Sequence, residues 1–340
     1  MRIAVDAFGG DNAPLSVIDG CSQAMAVNDK IKIILFGDEN KIKSCAEQNN
    51  IDISKMKTVH TSERFDMHDE PKELLGSKGN TGLALAFKAV AAGEADAIVS
   101  AGSTGAVLMG ATFIVKRIKG IKRAAIATMI PTTGKPYLLI DSGANINVRP
   151  EVLVQFGALG SAYMQNVMGI ENPTVGLLNN GAEDTKGGET LVEAHRQLKE
   201  SSLNFIGNVE ARDVPGGACD VLVADGFAGN IVLKLTEGLA SSFMSMFKKV
   251  FMKSTVTKLA AAVLRPGLRS LKKQLDYTEY GGAPFLGVRK PVIKAHGSSN
   301  AKAIKFAVLQ AENCANHDIN EQIGDFVAAM KQEKAKESAE

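Results

Sequence analysis

The residues best suited to chemistry in this sequence lie in five short segments that combine glycine with small polar side chains. Glycine lets backbone amides approach a ligand closely, and a helix that begins nearby offers free N–H groups and positive potential. Together these groups bind anions such as phosphate. Candidate residues for binding phosphate or substrate are therefore Gly9, Gly10, Asp11, Gly102, Ser103, Thr104, Gly105, Asp141, Asn145, Gly187, Asp225 and Gly229.

A few side chains beside these segments are suited to act on a reacting group. Lys186 precedes two glycines in a polar turn, where it is either a solvated surface lysine or a fixed cation for a phosphate or carbonyl oxygen. Asn230 follows Gly229 and is either a helix cap or a donor to a thioester or phosphate oxygen. His296 is either a ligand contact or a cap residue before Ser298. The residues alone leave each of these alternatives open.

Short apolar runs alternate with longer helical stretches, and most of the runs are continuously apolar, as in strands buried on both faces of a parallel sheet. Predicted strands cover Ile3–Ala7, Ile31–Phe36, Lys57–Thr61, Ala97–Ser100, Ala124–Met129, Tyr137–Ile140, Thr174–Leu178, Asn204–Val209 and Val221–Ala224. Predicted helices cover Pro14–Asn28, Thr81–Ala92, Ala106–Ile118, Glu151–Met168 and Glu189–Glu200. This alternation predicts an α/β fold, a three-layer α/β/α sandwich with a mostly parallel sheet. Because the glycine-bearing segments follow predicted strands, we expect them to converge on one site.

The 340 residues are enough for one large α/β domain, which we place at residues 1–330. The polar end of the chain, residues 331–340, is expected to be a disordered tail. The sequence shows no internal repeat and no low-complexity linker that would divide the domain.

Composition and missing motifs exclude several classes of function. A net charge of +2 gives no overall nucleic-acid footprint, so we expect no nucleic-acid partner. The four cysteines are far apart without zinc-like spacing, and a dinucleotide fingerprint, a P-loop and a zincin motif are missing, so we expect no metal and no cofactor. The first residues lack a signal-peptide pattern and no apolar run reaches about 18 residues, which favours a cytoplasmic location.

Residues 238–275 form a basic amphipathic segment with apolar side chains at helical spacing. We expect Pro266 and Gly267 to break its second helical stripe. The segment is either a helical hairpin packed on the core or in a dimer interface, or a surface for an anionic membrane or an acidic protein. Its candidate contact residues are Phe247, Lys248, Lys249, Phe251, Lys253, Lys258, Arg265 and Arg269.

Seven motifs spread from residue 1 to about residue 325 resemble those of one bacterial family, the acyl-carrier-protein:phosphate acyltransferases. They are Asp6–Asp11, Ser100–Ala106, Asp141–Asn145, Gly207–Glu210, Asp225–Asn230, Tyr280–Gly287 and His296–Ser298. The agreement of many separate motifs makes the resemblance specific. This chain departs from the usual pattern at Phe8, Ser103 and Ala211, where the family has Met, Asn and Gly. The change at Ser103 lies in a predicted ligand loop.

The resemblance implies that inorganic phosphate attacks the thioester of a long-chain acyl group on acyl carrier protein. The acyl-phosphate product would then be used by a membrane glycerol-3-phosphate acyltransferase in phospholipid synthesis. It also implies a homodimer, a fold similar to phosphotransacetylases and isocitrate dehydrogenases, and reversible peripheral attachment to the inner face of the cytoplasmic membrane. The family's active-site positions match Lys186 and Asn230, which we predict as catalytic, with His296 and Ser298 as binding residues.

Three other functions fit parts of the sequence. A serine hydrolase would use Ser103, with Asp141 or Asp225 and His296 completing the triad in the right chain order. A decarboxylating dehydrogenase of the isocitrate type would need a metal cluster, for which Asp141, Asp220 and Asp225 are candidates. A membrane-bound scaffold would use the basic segment alone and leaves the glycine-rich loops without a role.

Overall fold

The computed structural model describes residues 1–274, 281–318 and 323–328. Tyr280, the end of the basic segment at residue 275 and the tail at 331–340 lie outside these residues. The strands are β1 Arg2–Asp6, β2 Lys32–Gly37, β3 Lys57–His60, β4 Ala97–Ser100, β5 Ala125–Ile130, β6 Tyr137–Ile140, β7 Val175–Asn179, β8 Phe205–Glu210, β9 Val221–Val223, β10 Ala283–Leu286 and β11 Val292–Lys294. The helices are α1 Leu15–Val27, α2 Glu39–Gln48, α3 Gly82–Ala91, α4 Thr104–Met109, α5 Pro150–Asn166, α6 Glu189–Glu200, α7 Gly226–Phe251, α8 Thr255–Gln274 and α9 Ala301–Asn316, and 323–328 are also helical.

The strands form one sheet in the order β3-β2-β1-β4-β11-β10-β5-β6-β9-β7-β8. All neighbours from β3 to β11 pair in parallel, and so do all neighbours from β6 to β8. Between these blocks, β10 and β5 make three antiparallel pairings in succession. An odd number of reversals leaves the two blocks running in opposite directions. The two blocks therefore point their carboxyl ends in opposite directions. Thr104 after β4, Ser142 and Gly143 after β6 and Asn230 after β9 nevertheless line one cavity, so the expected convergence holds for these three loops, whereas the loops after β1 and β7 are outside the described lining.

Helices cover both faces of each block, which confirms the predicted three-layer α/β/α fold. In the first block, one apolar cluster joins the sheet to α1 and α9, and another joins the opposite face to α3 and α4. In the second block, α5 and α6 cover one face and the start of α7 covers the other. Burial on both faces explains why the strands read as continuous apolar runs.

The strands β10 and β11, the helices α2 and α9 and the helical residues 323–328 escaped the sequence prediction, although all nine predicted strands are present. The strands β10 and β11 have only four and three residues, and β10 contains Pro284, which disfavours a strand assignment. The helix α2 is largely polar and buries only Ile42 and Ala46. The predicted helix at 106–118 instead begins at Thr104 as α4 and widens into a π-helical turn over Gly110–Lys116.

The basic segment folds as the end of α7 and all of α8, and most side chains of residues 238–269 are exposed. All six candidate contact lysines and arginines are exposed, Phe247 is 44% exposed and Phe251 is half-buried. The expected break at Pro266 is wrong, because α8 continues through it. The carbonyl left without its N–H partner belongs to Ala262, which is exposed, so solvent can replace the lost bond. No helix within the described ranges is long and apolar enough to cross a membrane.

The loop after β6 depends on the buried carboxylate of Asp141. Its oxygens accept hydrogen bonds from the amides of Ile126, Gly143, Ala144 and Asn145 at 2.7–3.2 Å, and from the Asn145 side chain at 2.9 Å. Burial raises the pKa of Asp141, and these hydrogen bonds offset part of that effect. One side chain therefore joins the loop to β5 and sets its path.

We expect Gly20→Ala to destabilise the fold by about 1–3 kcal/mol, because an added methyl overfills a packed contact. A Cβ at Gly20 would lie 2.6 Å from both the Ala301 carbonyl oxygen and the Ile304 Cβ at the α1–α9 contact. Gly238→Ala is the matched control, since it lies within a helix with nothing within 4 Å of its added Cβ, and it should stabilise by about 0.5–1 kcal/mol. Urea unfolding of both variants measures the difference, and shifts of the same sign would contradict the described packing.

We expect Asp141→Asn to lower the free energy of unfolding by about 1–3 kcal/mol, because an amide cannot accept from the same set of donors and leaves a buried N–H group unpaired. The exposed Asp29→Asn removes the same charge elsewhere and should leave the urea midpoint unchanged. Equal midpoints for the two variants would show that Asp141 does not support its loop.

Candidate active site

A cavity of about 310 Å³ lies over the central strands, between the two blocks of the sheet. Its walls combine residues of β5 and β10 with the loop after β6, the start of α4, the first turns of α7 and the end of β11. The lining residues are Thr104, Ile126, Thr128, Met129, Ser142, Gly143, Asn230, Leu233, Lys234, Glu237, Gly281, Gly282, Ala283, Lys294, Ala295 and His296. Its lining combines apolar side chains with the cations of Lys234 and Lys294, so it can hold an anion beside an apolar group.

Glycines 9 and 10 allow the loops of the first block to pack on one another. A Cβ at Gly9 would lie 2.8 Å from the amide of Gly102, and one at Gly10 would lie 2.8 Å from the carbonyl oxygen of Gly297. The buried Asp6 ties the same loops together by accepting from the Ser100 hydroxyl at 2.8 Å, while burial raises its pKa. Gly9 and Gly10 thus allow close contact with the loops that lead to Thr104 and His296.

The loops of the second block meet at the start of α7. Asp225 caps this helix by accepting from the Ala228 amide at 2.7 Å. A Cβ at Gly229 would lie 1.9 Å from the Asp141 carbonyl oxygen, so only glycine fits between α7 and the β6 loop. Asn230, the next residue, packs beside Gly143 and lines the cavity. The predicted catalytic asparagine is therefore held on one wall by a contact that requires the glycine before it.

Lysine 294, at the end of β11, is a lining residue that the sequence analysis missed. Burial and the nearby Lys234 ammonium together lower the pKa of Lys294 to about 8. The same two causes lower the pKa of His296. Lys234 lies on α7, where it pairs with Glu237 at 2.7 Å. The signal in the sequence was a lysine ending an otherwise apolar strand just before His296.

The predicted binding residues divide into lining and supporting positions. Thr104 and His296 line the cavity, and Ser298 bonds to the Nδ1 atom of His296 at 2.8 Å. The supporting positions hold the loops rather than the cavity wall: Gly9, Gly10, Asp11, Gly102, Asp141, Asn145, Asp225 and Gly229. Gly105 packs against Pro71, and Ser103 precedes α4 without a side-chain capping bond.

Lysine 186 lies on a different loop, after β7, and is outside the set of described residues that line the cavity. Its ammonium is 3.8 Å from Glu183, and its side chain is 47% exposed. The loop is fixed by bonds from Asn179 to the Lys186 carbonyl and from Asn208 to the Glu183 carbonyl. Gly187, at φ +89°, completes the turn. The catalytic role of Lys186 stays a prediction.

The carboxylates that the alternative chemistries would need are engaged elsewhere. The Asp141 carboxylate bonds to its own loop and Asp225 caps α7, so neither orients His296 for a hydrolase. Asp220 accepts from the amide and hydroxyl of Thr174 at 2.8 and 2.7 Å. Residues 1–274, 281–318 and 323–328 contain no cluster of three or more metal-ligating side chains.

Two other cavities are less suited to an anionic substrate. One of about 380 Å³ lies beside residues 323–328, and the charged groups among its described lining residues are the acidic Glu171 and Asp325. Another, of about 180 Å³, lies at the turn between β10 and β11, away from the glycine-rich loops. Its position and its lysines make the cavity lined by Asn230 and Lys294 the better candidate for binding an anionic substrate.

Comparison with solved structures supports the fold. A phosphotransacetylase from Streptococcus pyogenes matches with a TM-score of 0.63 at 18% identity, covering 93% of this chain and 94% of that one. A phosphotransacetylase from Staphylococcus aureus gives a TM-score of 0.62 at 19% identity with the same coverage. A 4-hydroxythreonine-4-phosphate dehydrogenase from Klebsiella pneumoniae gives 0.53 at 12% identity, covering 92% of this chain and 99% of that one. At these identities the likeness concerns the fold alone.

Sequence comparison identifies the family. The family model described as a fatty acid synthesis protein matches residues 1–322. A phosphate acyltransferase from Alkaliphilus oremlandii is 45% identical over 97% of this chain and 98% of its own length. Phosphate acyltransferases from Bacillus licheniformis and Clostridium botulinum are each 44% identical, over 100% and 95% of this chain and 100% and 96% of their own lengths. The chain therefore belongs to the phosphate acyltransferase family.

Proposed function

We propose that this chain transfers a long-chain acyl group from acyl carrier protein to inorganic phosphate, and that the acyl-phosphate enters phospholipid synthesis. The observation that carries the proposal is the cavity between the two blocks, where Asn230, Lys234 and Lys294 surround a space with an apolar side. The description of the matching family model as a fatty acid synthesis protein supports a fatty acyl donor.

In the proposed reaction, a phosphate oxygen attacks the thioester carbonyl carbon and the C–S bond breaks. The carrier leaves as a thiol, with the proton that the phosphate gives up. Phosphate is a competent nucleophile near neutral pH, so the protein needs only to align the partners and stabilise the oxyanion. Burial raises the pKa of Cys21, Cys219 and Cys314 to about 12, which keeps these thiols protonated and unreactive. In this proposal Asn230 donates to the carbonyl oxygen, and Lys186 is a predicted second contact.

The acyl chain would leave the reacting centre along α7. A smaller and mostly apolar cavity of about 40 Å³ shares four lining residues with the main one and extends to Ala240; the shared residues are Thr128, Met129, Leu233 and Glu237. Further along the same helix, Leu239 and Phe243 are 48% and 54% exposed. This path supports a long apolar substrate rather than a short acyl group.

The exposed face of α7 and α8 is the proposed contact for an anionic membrane and for the acidic carrier protein. Val256, Leu259 and Val263 are 73%, 70% and 80% exposed beside exposed lysines, which is the pattern of a helix lying on a membrane surface. We propose a cytoplasmic homodimer that attaches reversibly to the inner face of the membrane and delivers acyl-phosphate to a membrane glycerol-3-phosphate acyltransferase.

We expect purified protein to form acyl-phosphate from a long-chain acyl-carrier-protein thioester only when inorganic phosphate is present. Trapping the product as its hydroxamate measures the reaction. Asn230→Ala should lower kcat by about a hundredfold, since a lost oxyanion donor typically has an effect of that size.

Ser103→Ala is the control for a hydrolase, because it removes the candidate nucleophile and should leave much of the acyl-phosphate formation intact. The proposal would be overturned if the thioester were hydrolysed equally fast without phosphate and if Ser103→Ala abolished that hydrolysis. A stable acylated side chain trapped with substrate would overturn the direct attack by phosphate.

We expect replacement of Lys248, Lys249, Lys253 and Lys258 by Glu to weaken binding to vesicles of phosphatidylglycerol and phosphatidylcholine by about a hundredfold or more, because each basic residue near an anionic surface contributes about 1 kcal/mol. Cosedimentation measures the binding. The matched control replaces four exposed lysines outside α7 and α8 by Glu, namely Lys30, Lys32, Lys55 and Lys57. Equal binding by both variants would exclude α7 and α8 as the membrane contact.

A further inference from the structure

Two lysines from different elements line the same cavity. Lys294 ends β11 in the first block, and Lys234 lies on α7, which starts from the second block. The charge on Lys234 contributes to the lowered pKa of Lys294, so the two ammonium groups are close enough to repel each other. The fold therefore brings two like charges together at a site where it leaves open space.

Lysine 234 has a carboxylate partner, but Lys294 does not. Glu237 pairs with Lys234 at 2.7 Å. Among the residues that the structure describes, no carboxylate comes within 4 Å of the Lys294 ammonium, which instead donates to the Ala295 carbonyl. Asp6 and Asp11 attract it from the β1 side, but Asp6 already accepts from Ser100. The partly buried ammonium of Lys294 thus faces the cavity without a direct counterion.

We propose that Lys294 binds the phosphate nucleophile, with Lys234 as the second cation and Asn230 on the facing wall. A phosphate dianion in the cavity would supply the negative charge that Lys294 lacks and relieve the repulsion between the lysines. The inference rests on the proposed function. It assigns the phosphate end of the cavity to β11 and leaves the apolar side, with Met129 and Leu233, to the acyl group.

The proposal predicts how phosphate affinity depends on pH. Lys294 binds phosphate only as the ammonium, and in the free protein this form is lost as the pH rises through about 8. Affinity should therefore decline above about pH 8, because the ammonium is lost there while phosphate stays a dianion. The other charged or titratable groups facing Lys294 are Asp6, Asp11, Lys234, Glu237 and His296.

The test uses inorganic phosphate as the probe and the full chain, with binding followed by calorimetry and by ³¹P NMR. Lys294→Met should weaken phosphate binding about tenfold to a hundredfold, because it removes a charge-assisted hydrogen bond. Lys290→Met, on the turn at the other end of β11, removes an equal charge outside the cavity and should have no effect.

Lys294→Arg keeps a charge that does not titrate, so phosphate binding should persist and its decline above pH 8 should disappear. This variant also tests the proposal if Lys294→Met fails to fold, as judged by circular dichroism. Unchanged phosphate affinity in folded Lys294→Met, or the same decline with pH in Lys294→Arg as in the parent, would overturn the inference.

Activity separates this inference from the proposed function. If the parent chain makes acyl-phosphate and Lys294→Met has an unchanged KM for phosphate, the function stands and the inference fails. If phosphate binding depends on Lys294 but no thioester yields acyl-phosphate, the inference stands and the proposed function fails.

Discussion

The reversal of strand direction at β10 and β5 is the constraint on which the rest of the structure depends. Three antiparallel pairings in succession join two parallel blocks that run in opposite directions. A continuous parallel sheet would place its binding loops along one edge. Here the cavity lies over the seam, and it takes Lys294 from the end of one block and Asn230 from a helix that leaves the other. The site therefore belongs to neither block alone.

Close contact between backbones is the second feature that shapes the site. The glycine-rich segments suggested amides aimed at a ligand, yet at Gly9, Gly10 and Gly229 the missing side chain makes room for a neighbouring loop. Asp141 also has a structural role, since its carboxylate accepts hydrogen bonds from the backbone amides of its own loop. Much of the polar and glycine-rich sequence holds the loops together, and a smaller set of residues lines the cavity.

The sequence predicted the layers and most strands because burial on both faces leaves a strong apolar pattern. It did not predict β10 and β11, because strands of four and three residues with a proline carry almost no periodic signal. Lys294 was missed for a different reason. Its role depends on the nearby Lys234, which is 60 positions away in the chain and is brought close only by the fold. Asn230 and His296 were found because their motifs are local, and both line the cavity.

The helix α7 has a mechanical consequence. Its 26 residues span about 39 Å at 1.5 Å per residue, from Asn230 and Lys234 at the cavity to Phe251 near its outer end. A continuous helix of this length is stiff, so a displacement of one end is transmitted to the other. Any partner that tilts the outer half also shifts the asparagine and lysine at the inner half relative to β11. The cavity wall is thus mechanically coupled to the exposed surface of α7, and a force on the outer half would be transmitted to the cavity.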